Sequence, residues 1–135
     1  DRTIEQNGLK KTAVRLNKGI IAFSPLAQGL LTDRYLHGIP ADSRVRTDGR
    51  FLKESALTEE KLAQIRALNE IAAARGQSLA EMALAWILKD GQVTSVLIGA
   101  SRPEQILDNI KALDNTTFTA EELEAIDKAS GYSKE

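Results

Sequence analysis

Apolar positions along this chain fall into two kinds of run. One recurs every three or four residues, the spacing of a helix face. The other is short and unbroken, as in a strand buried on both faces. Leu9, Ala13 and Leu16 predict an amphipathic helix over 3–16, ended by Asn17-Lys18-Gly19, since glycine suits the position after a helix end. Ile20-Ile21-Ala22-Phe23, bounded by Gly19 and Ser24-Pro25, predicts a strand buried on both faces, the parallel-sheet type. Val93-Thr94-Ser95-Val96-Leu97-Ile98 predicts a second.

Between the strands lie an irregular stretch and two helices. Residues 24–57 hold Pro25, Gly29, Gly38, Pro40 and Gly49, with the basic residues Arg34, Arg44, Arg46, Arg50 and Lys53. A loop of this length is usually functional or disordered. Thr58 then starts a helix in which Leu62, Ile65, Leu68 and Ala72 recur. Leu57 and Leu62 are spaced to staple its first turn, and Gly76 ends it. Ser78 and Glu81 have capping-box spacing before a helix carrying Leu79, Met82, Ala83, Trp86 and Ile87, followed by Gly91. Met82 and Trp86 continue that apolar stripe and read as core.

After the second strand, Gly99-Ala100-Ser101-Arg102-Pro103-Glu104 turns directly into a helix with Ile106, Ile110 and Leu113 on its apolar side. Proline fits a first helical turn. Thr119 and Glu122 form another capping-box pattern, with Phe118 and Leu123 as staple, opening a last helix to about Ser130. Strands alternating with helices imply βα units and a parallel sheet. Two strands alone leave two open edges, each a row of unpaired N–H and C=O groups. An eight-stranded α/β barrel takes about 250 residues. The chain has 135, so it is expected to supply the last part of such a barrel rather than the whole.

Composition narrows the function. A net charge of -1 argues against a general nucleic-acid or membrane-surface role. No apolar run reaches the roughly 18 residues of a membrane span. With 0 cysteines, disulfides and thiolate metal sites are excluded, and a reducing cytosol fits. The opening Asp1-Arg2-Thr3-Ile4-Glu5-Gln6 lacks a signal core and an initiator Met, so the chain is expected to begin inside a larger protein.

In parallel α/β folds ligands bind at the carboxyl ends of strands, which singles out two segments. The first is Phe23 to Thr32. There Ser24 offers a hydroxyl and an amide, Pro25 fixes the turn and Gly29 permits close backbone approach. A plain strand-to-loop exit would leave the same pattern. The second is Gly99 to Asn109. A glycine, exposed amides and Arg102 before a helix start form a ready anion site. Gln105 and Asn109, four apart, face the same way. The alternative is that Ser101 merely caps the helix and its polar neighbours are solvated.

Ser24-Pro25-Leu26-Ala27-Gln28-Gly29-Leu30-Leu31-Thr32, followed by Val96-Leu97-Ile98-Gly99-Ala100-Ser101-Arg102-Pro103-Glu104-Gln105, resembles the seventh- and eighth-strand motifs of the aldo-keto reductases. Arg75-Gly76-Gln77-Ser78 and Met82-Ala83-Leu84-Ala85-Trp86 match helices of the same family. The resemblance runs from residue 1 to about residue 130. It is nearest the branch of bacterial L-glyceraldehyde 3-phosphate reductases and potassium-channel β subunits. It implies residues 1–135 as a partial domain, the C-terminal part of a (β/α)8 TIM barrel that binds NADPH or NADP in an extended pose.

By that resemblance Ser24, Pro25, Leu26 and Gly29 line the nicotinamide and pyrophosphate, and Arg34 and Arg44 are basic contacts. Gly99, Ser101, Gln105, Asp108 and Asn109 hold the adenosine end. Arg102 suits a 2′-phosphate, since a guanidinium matches phosphate geometry. The family's acid is a tyrosine tuned by lysine, aspartate and histidine. Tyr35, Tyr132 and His37 match none of those positions. The expected function is NADPH-dependent carbonyl reduction by the complete barrel, this chain supplying the cofactor grip. The expected partners are NADP(H) and the N-terminal half of the barrel or another copy. Two alternatives stand beside it: a non-catalytic NADP(H)-binding module, and a self-associating structural remnant.

Overall fold

The computed structural model describes residues 2–37 and 57–132. Arg44, Arg46, Arg50 and Lys53 lie outside these residues. The expected first helix is two helices, α1 (Thr3–Gln6) and α2 (Leu9–Arg15). Gly8, at φ +79°, breaks the run, and the Asn7 side chain accepts from the Leu9 amide to start the second helix. A positive φ of this kind is cheap only for glycine, with asparagine next. That order of preference also corrects the expected end of α2. Asn17, at φ +53°, takes the left-handed position assigned to Gly19. Gly19 serves a different need. A Cβ there would stand 3.0 Å from Thr94 Oγ1, the same oxygen that accepts from the Ile20 amide.

The two strands are β1 (Ile21–Phe23) and β2 (Ser95–Leu97). They pair in parallel, Ile21 with Ser95, Ala22 with Val96 and Phe23 with Leu97. Two short 3₁₀ turns, Ala27–Gly29 and Asp33–Tyr35, follow β1. Helix α3 (Glu59–Ala74) is capped by Thr58, whose hydroxyl accepts from the Lys61 amide. Gly76, at φ +73°, closes its end. Helix α4 (Leu79–Leu88) opens with the predicted Ser78–Glu81 capping box. Helix α5 (Pro103–Ile110) begins on proline and runs into a 3₁₀ turn at Lys111–Asp114. Helix α6 (Ala120–Ala129) opens with the Thr119–Glu122 box.

The core is helical and sits to one side of the sheet. Ile65, Leu68 and Ala72 of α3, Leu79 and Met82 of α4 and Ile126 of α6 form its centre. Trp86, Phe118, Leu30, Leu31 and Leu36 pack against it, so Met82 and Trp86 are core side chains. Helix α4 is buried on more than its predicted stripe, because Leu84 and Ala85 are also covered, between α3, α5 and β2. Arg75 stitches α3 to α6. Its guanidinium donates to Glu122 and to the Thr117 carbonyl and lies 3.7 Å from the Phe118 ring centre.

The expectation that both strands are buried on two faces is wrong. Ile21, Phe23 and Leu97 are 70, 78 and 64% exposed. They share one side of the sheet, because alternate residues of a strand point the same way and the register pairs Phe23 with Leu97. The opposite side, Ala22 and Val96, is half-buried, with α4 packed beside β2. Ile106, Ile110 and Leu113, predicted as an inward stripe, are also exposed, as are Leu9, Val14 and Leu16 on the α2 side. The patterns are those of surfaces made to be covered, and two strands are too few to cover them.

Candidate functional site

Parallel pairing sends both strand exits out of the same end of the sheet. Ser24 follows Phe23 directly, and Gly99 comes two residues after its partner Leu97. The β1 exit is a tightly wound turn. Ser24, Ala27, Gln28 and Gly29 have φ of +50°, +48°, +62° and +92°. Three of these carry a Cβ, and each such residue costs roughly 1–3 kcal/mol unless its surroundings enforce it. The enforcement is visible. The Leu31 amide donates to the Leu26 carbonyl, the Thr32 hydroxyl donates to the Gly29 carbonyl at 2.7 Å, and Tyr35 packs beneath Gly29. Pro25, Leu26 and Gly29 are half-buried, while Ser24 is exposed. Arg34 stands exposed in the second 3₁₀ turn, its amide donating to Thr32 Oγ1.

The β2 exit is open. Gly99, Ser101 and Arg102 are exposed, and nothing lies within 4 Å of where a Cβ on Gly99 would stand. Arg102 is the N-cap of α5 in extended conformation. Gln105 folds back so that its Oε1 accepts from both the Ser101 amide (2.8 Å) and the Ser101 hydroxyl (3.2 Å). The reading of Ser101 as a helix cap is therefore corrected, since its hydroxyl donates to the Gln105 side chain and the N-cap position belongs to Arg102. One turn further, Asp108 pairs with Lys111 at 2.9 Å and holds that ammonium's pKa above its ordinary value. Asn109 is half-buried on the same face as Gln105. Arg44, assigned as a second basic contact, lies outside the described residues.

The other titratable side chains singled out from the sequence are elsewhere. Tyr35 is 1% exposed, packed with Leu30, Leu57 and Leu62. The Tyr132 hydroxyl accepts from Gln6, and His37 is exposed. Among the described residues no group of three or more His, Cys, Asp or Glu side chains could hold a metal, and no helix is long and apolar enough to cross a membrane.

A charged cluster at the opposite end of the sheet escaped sequence reasoning. Lys10 is 5% exposed and donates to Glu5 (2.9 Å) and Asp90, while Lys89 also reaches Glu5 (3.3 Å). Burial alone would lower the Lys10 pKa, but the hydrogen bonds to Asp90 and Glu5 outweigh it, and the net shift is upward. For Lys89 burial wins and the shift is downward. Glu5, Lys10, Asp90 and Gln92 line a shallow cavity of about 420 Å³. Residues 90–92 precede β2, so this is the amino end of the strands, where barrels build stability and not chemistry. No sequence signal marks it, because Lys10 and Asp90 are 80 positions apart.

Comparison with known proteins agrees with this architecture. The aldo/keto reductase family matches residues 2–130. An L-glyceraldehyde 3-phosphate reductase of Escherichia coli K12 is 53% identical over 131 residues, 95% of this chain and 38% of that protein. A Schizosaccharomyces pombe protein classed as a voltage-gated potassium channel β subunit is 38% identical over 119 residues, 85% of this chain and 35% of its own length. Among solved structures, a glycerol dehydrogenase from Gluconobacter oxydans superposes with a TM-score of 0.73 at 30% identity, covering 96% of this chain and 38% of that one. The chain belongs to the aldo/keto reductase family. Its α/β fold is a partial (β/α)8 barrel, two βα units with trailing helices. It spans 38% of the length of the L-glyceraldehyde 3-phosphate reductases it matches.

Proposed function

We propose that this chain is the dinucleotide-gripping sector, strands seven and eight, of an NADPH-dependent reductase of aldehydes or ketones in a reducing cytosol. The observation that carries the reading is the parallel pairing of Phe23 with Leu97, which opens both exits at one end of the sheet. The residues there fit a dinucleotide. Ser24, Pro25, Leu26 and Gly29 form a pre-wound loop along which an extended ligand can lie. Gly99 leaves room for close approach, and Ser101, Arg102, Gln105 and Asn109 offer donors and acceptors suited to a phosphorylated adenosine. Arg34 and Arg44 add positive charge, and Asp108 completes the adenosine side. The cofactor, when bound, supplies the hydride. This chain's residues bind and orient it, and Tyr35 is too enclosed to reach a substrate carbonyl.

The acid that protonates the carbonyl belongs, in this reading, to the rest of the barrel. The uncovered side of the sheet supports that division. Ile21, Phe23 and Leu97 on the sheet, Leu9 and Leu16 at the two ends of α2 and Ile106 and Ile110 on α5 are all exposed. Burying a side chain of this size is worth about 1.5–3 kcal/mol, so a covering partner has a large gain to offer. The partner is the remainder of an aldo-keto reductase barrel, which supplies strands for both open edges. Calorimetric titration with NADPH and NADH tests the grip, and an aldehyde assay with glyceraldehyde tests the division of labour. The reading expects NADPH to bind more tightly than NADH, and no turnover by the chain alone. Absence of binding at millimolar NADPH, or turnover without another chain, contradicts it. A compact assembly of identical copies in light scattering would favour self-association in place of the barrel partner.

A further inference from the structure

Tyr35 forms a buried cluster of its own beside the helical core. The side chains packed around it are Leu30 of the β1 exit and Leu57 and Leu62 at the start of α3. Its Cε2 stands 3.8 Å from where a Cβ on Gly29 would be, so the ring fills the space behind that glycine. Hydrogen bonds reinforce the link. The Thr32 hydroxyl donates to the Gly29 carbonyl at 2.7 Å and accepts from the Arg34 amide at 3.3 Å. Thr32 thereby joins the Gly29 turn to the short 3₁₀ turn that carries Tyr35. On the other side of the ring, Thr58 caps α3 through the Lys61 amide, and the Leu62 amide donates to the Thr58 carbonyl. One ring therefore stands between a turn with four residues of positive φ and the first turn of a helix.

We propose that Tyr35 is a positioning residue whose ring couples the Gly29 turn to the first turn of α3. It holds the turn wound before a ligand arrives, and it passes binding at the turn on to that helix. The proposal rests on the dinucleotide reading above and adds a residue too enclosed to touch the ligand. Ser24, Ala27 and Gln28 carry a Cβ in the left-handed region, where such residues persist only when their surroundings over-determine them. Leu30 and Leu31 tie the turn to the helical core, and the Tyr35 ring is the buried side chain set against Gly29 itself. Protein interiors are close-packed, so a ring in this space resists unwinding of the turn, and a smaller side chain leaves a void into which the turn relaxes. Holding a site in its bound form lowers the ordering cost of binding. The coupling is reciprocal: as the ring steadies the turn, an occupied turn steadies the ring and Leu62.

The test compares Tyr35→Phe, which keeps the ring, with Tyr35→Leu, which stays apolar and loses it. NADPH affinity is titrated by calorimetry, and amide hydrogen exchange is followed with and without NADPH at two matched positions. Leu62 and Leu123 each donate to the carbonyl of their helix's capping threonine, Leu62 beside Tyr35 and Leu123 at the start of α6. In the wild-type chain NADPH should slow exchange at Leu62 at least about fivefold more than at Leu123. Tyr35→Phe should keep both the affinity and that difference. Tyr35→Leu should bind NADPH about tenfold more weakly, lose the difference at Leu62 and speed exchange at Leu31 in the ligand-free chain, with far-UV circular dichroism unchanged. A residue that served stability alone would lower the denaturation midpoint and leave the affinity and the Leu62 response as they were. Wild-type binding with no response at Leu62 overturns the proposal and leaves the dinucleotide reading standing, and this comparison decides even if Tyr35→Leu does not fold. Wild-type affinity in a folded Tyr35→Leu overturns it equally. A wild-type chain that binds no NADPH overturns the dinucleotide reading and the proposal with it.

Discussion

Gln105 Oε1 accepts from both the backbone amide and the hydroxyl of Ser101, at 2.8 and 3.2 Å. The strand-exit donors that a phosphorylated ligand would use are therefore already engaged by the chain's own carboxamide. A ligand that takes the Ser101 amide has to displace an oxygen that is neutral. Gln105→Glu changes that competition. A carboxylate holds the amide more tightly and repels phosphate. NADPH affinity, measured by calorimetry, should fall about tenfold, which is about 1.4 kcal/mol. An unchanged affinity would place the cofactor's adenosine end away from α5.

The Arg75 side chain is 2% exposed, while that of its partner Glu122 remains 28% exposed. Arg75→Ala leaves the Thr117 carbonyl and Glu122 without this donor and removes the cover from Phe118. Loss of one partner of a fully buried pair costs about 3–5 kcal/mol, and the partial exposure of Glu122 reduces this to about 2–3. Denaturant midpoints should show it. Lys111→Ala, which breaks an exposed pair with Asp108, is the matched control and should leave the midpoint nearly unchanged.

Asp90 sets a pH dependence. Burial alone would raise its pKa, but hydrogen bonds from the Lys10 ammonium and the Gln92 amide prevail and hold it below the usual carboxylate value. On acidification the unfolded chain takes up the proton first. The contribution is therefore complete above the unfolded value of about 3.9 and is lost as pH falls through the lower folded value. Lys10 is shifted upward, so its share persists through neutral pH and fades only in the alkaline range. Asp90→Asn should cost about 1 kcal/mol or less at pH 7 and flatten the fall in Tm between about pH 5 and pH 3. Equal acid slopes for the two proteins would place the titration elsewhere.

Gly19 is required by packing and not by its backbone angle. Gly19→Ala drives a methyl toward Thr94 Oγ1, at 3.0 Å, and threatens the Ile20 amide that this oxygen accepts. The expected loss is about 1 kcal/mol, read by thermal denaturation. Gly76→Ala, where space is open but φ is +73°, should cost a similar amount for the opposite reason.

These residues also show what a sequence can reveal. The caps at Thr58, Ser78 and Thr119 and the proline start of α5 were legible, because each is decided by atoms within three or four residues. The two strand exits were legible for a related reason: a strand, its exit and the next helix start are contiguous. Burial was not. The apolar runs of β1, β2 and α5 are those of covered elements, yet Ile21, Phe23 and Ile106 are exposed, and burial by a distant element is nothing a local pattern can report. The break at Asn7-Gly8 was masked by helical periodicity on either side of it. The ion pairs of Lys10 with Asp90 and of Arg2 with Asp127 join residues 80 and 125 positions apart, a distance at which no local pattern operates.

The central claim is that this chain grips a phosphorylated dinucleotide on behalf of a complete barrel. The most direct measurement uses a chimera in which these residues replace the matching 131 residues of the Escherichia coli L-glyceraldehyde 3-phosphate reductase, 53% identical. Cofactor affinity is titrated with NADPH and NADH, with and without Arg102→Ala. The expected result is a folded chimera that binds NADPH, with Arg102→Ala weakening NADPH by about tenfold and NADH far less. A chimera that folds to the barrel's helix content yet binds neither dinucleotide would contradict it.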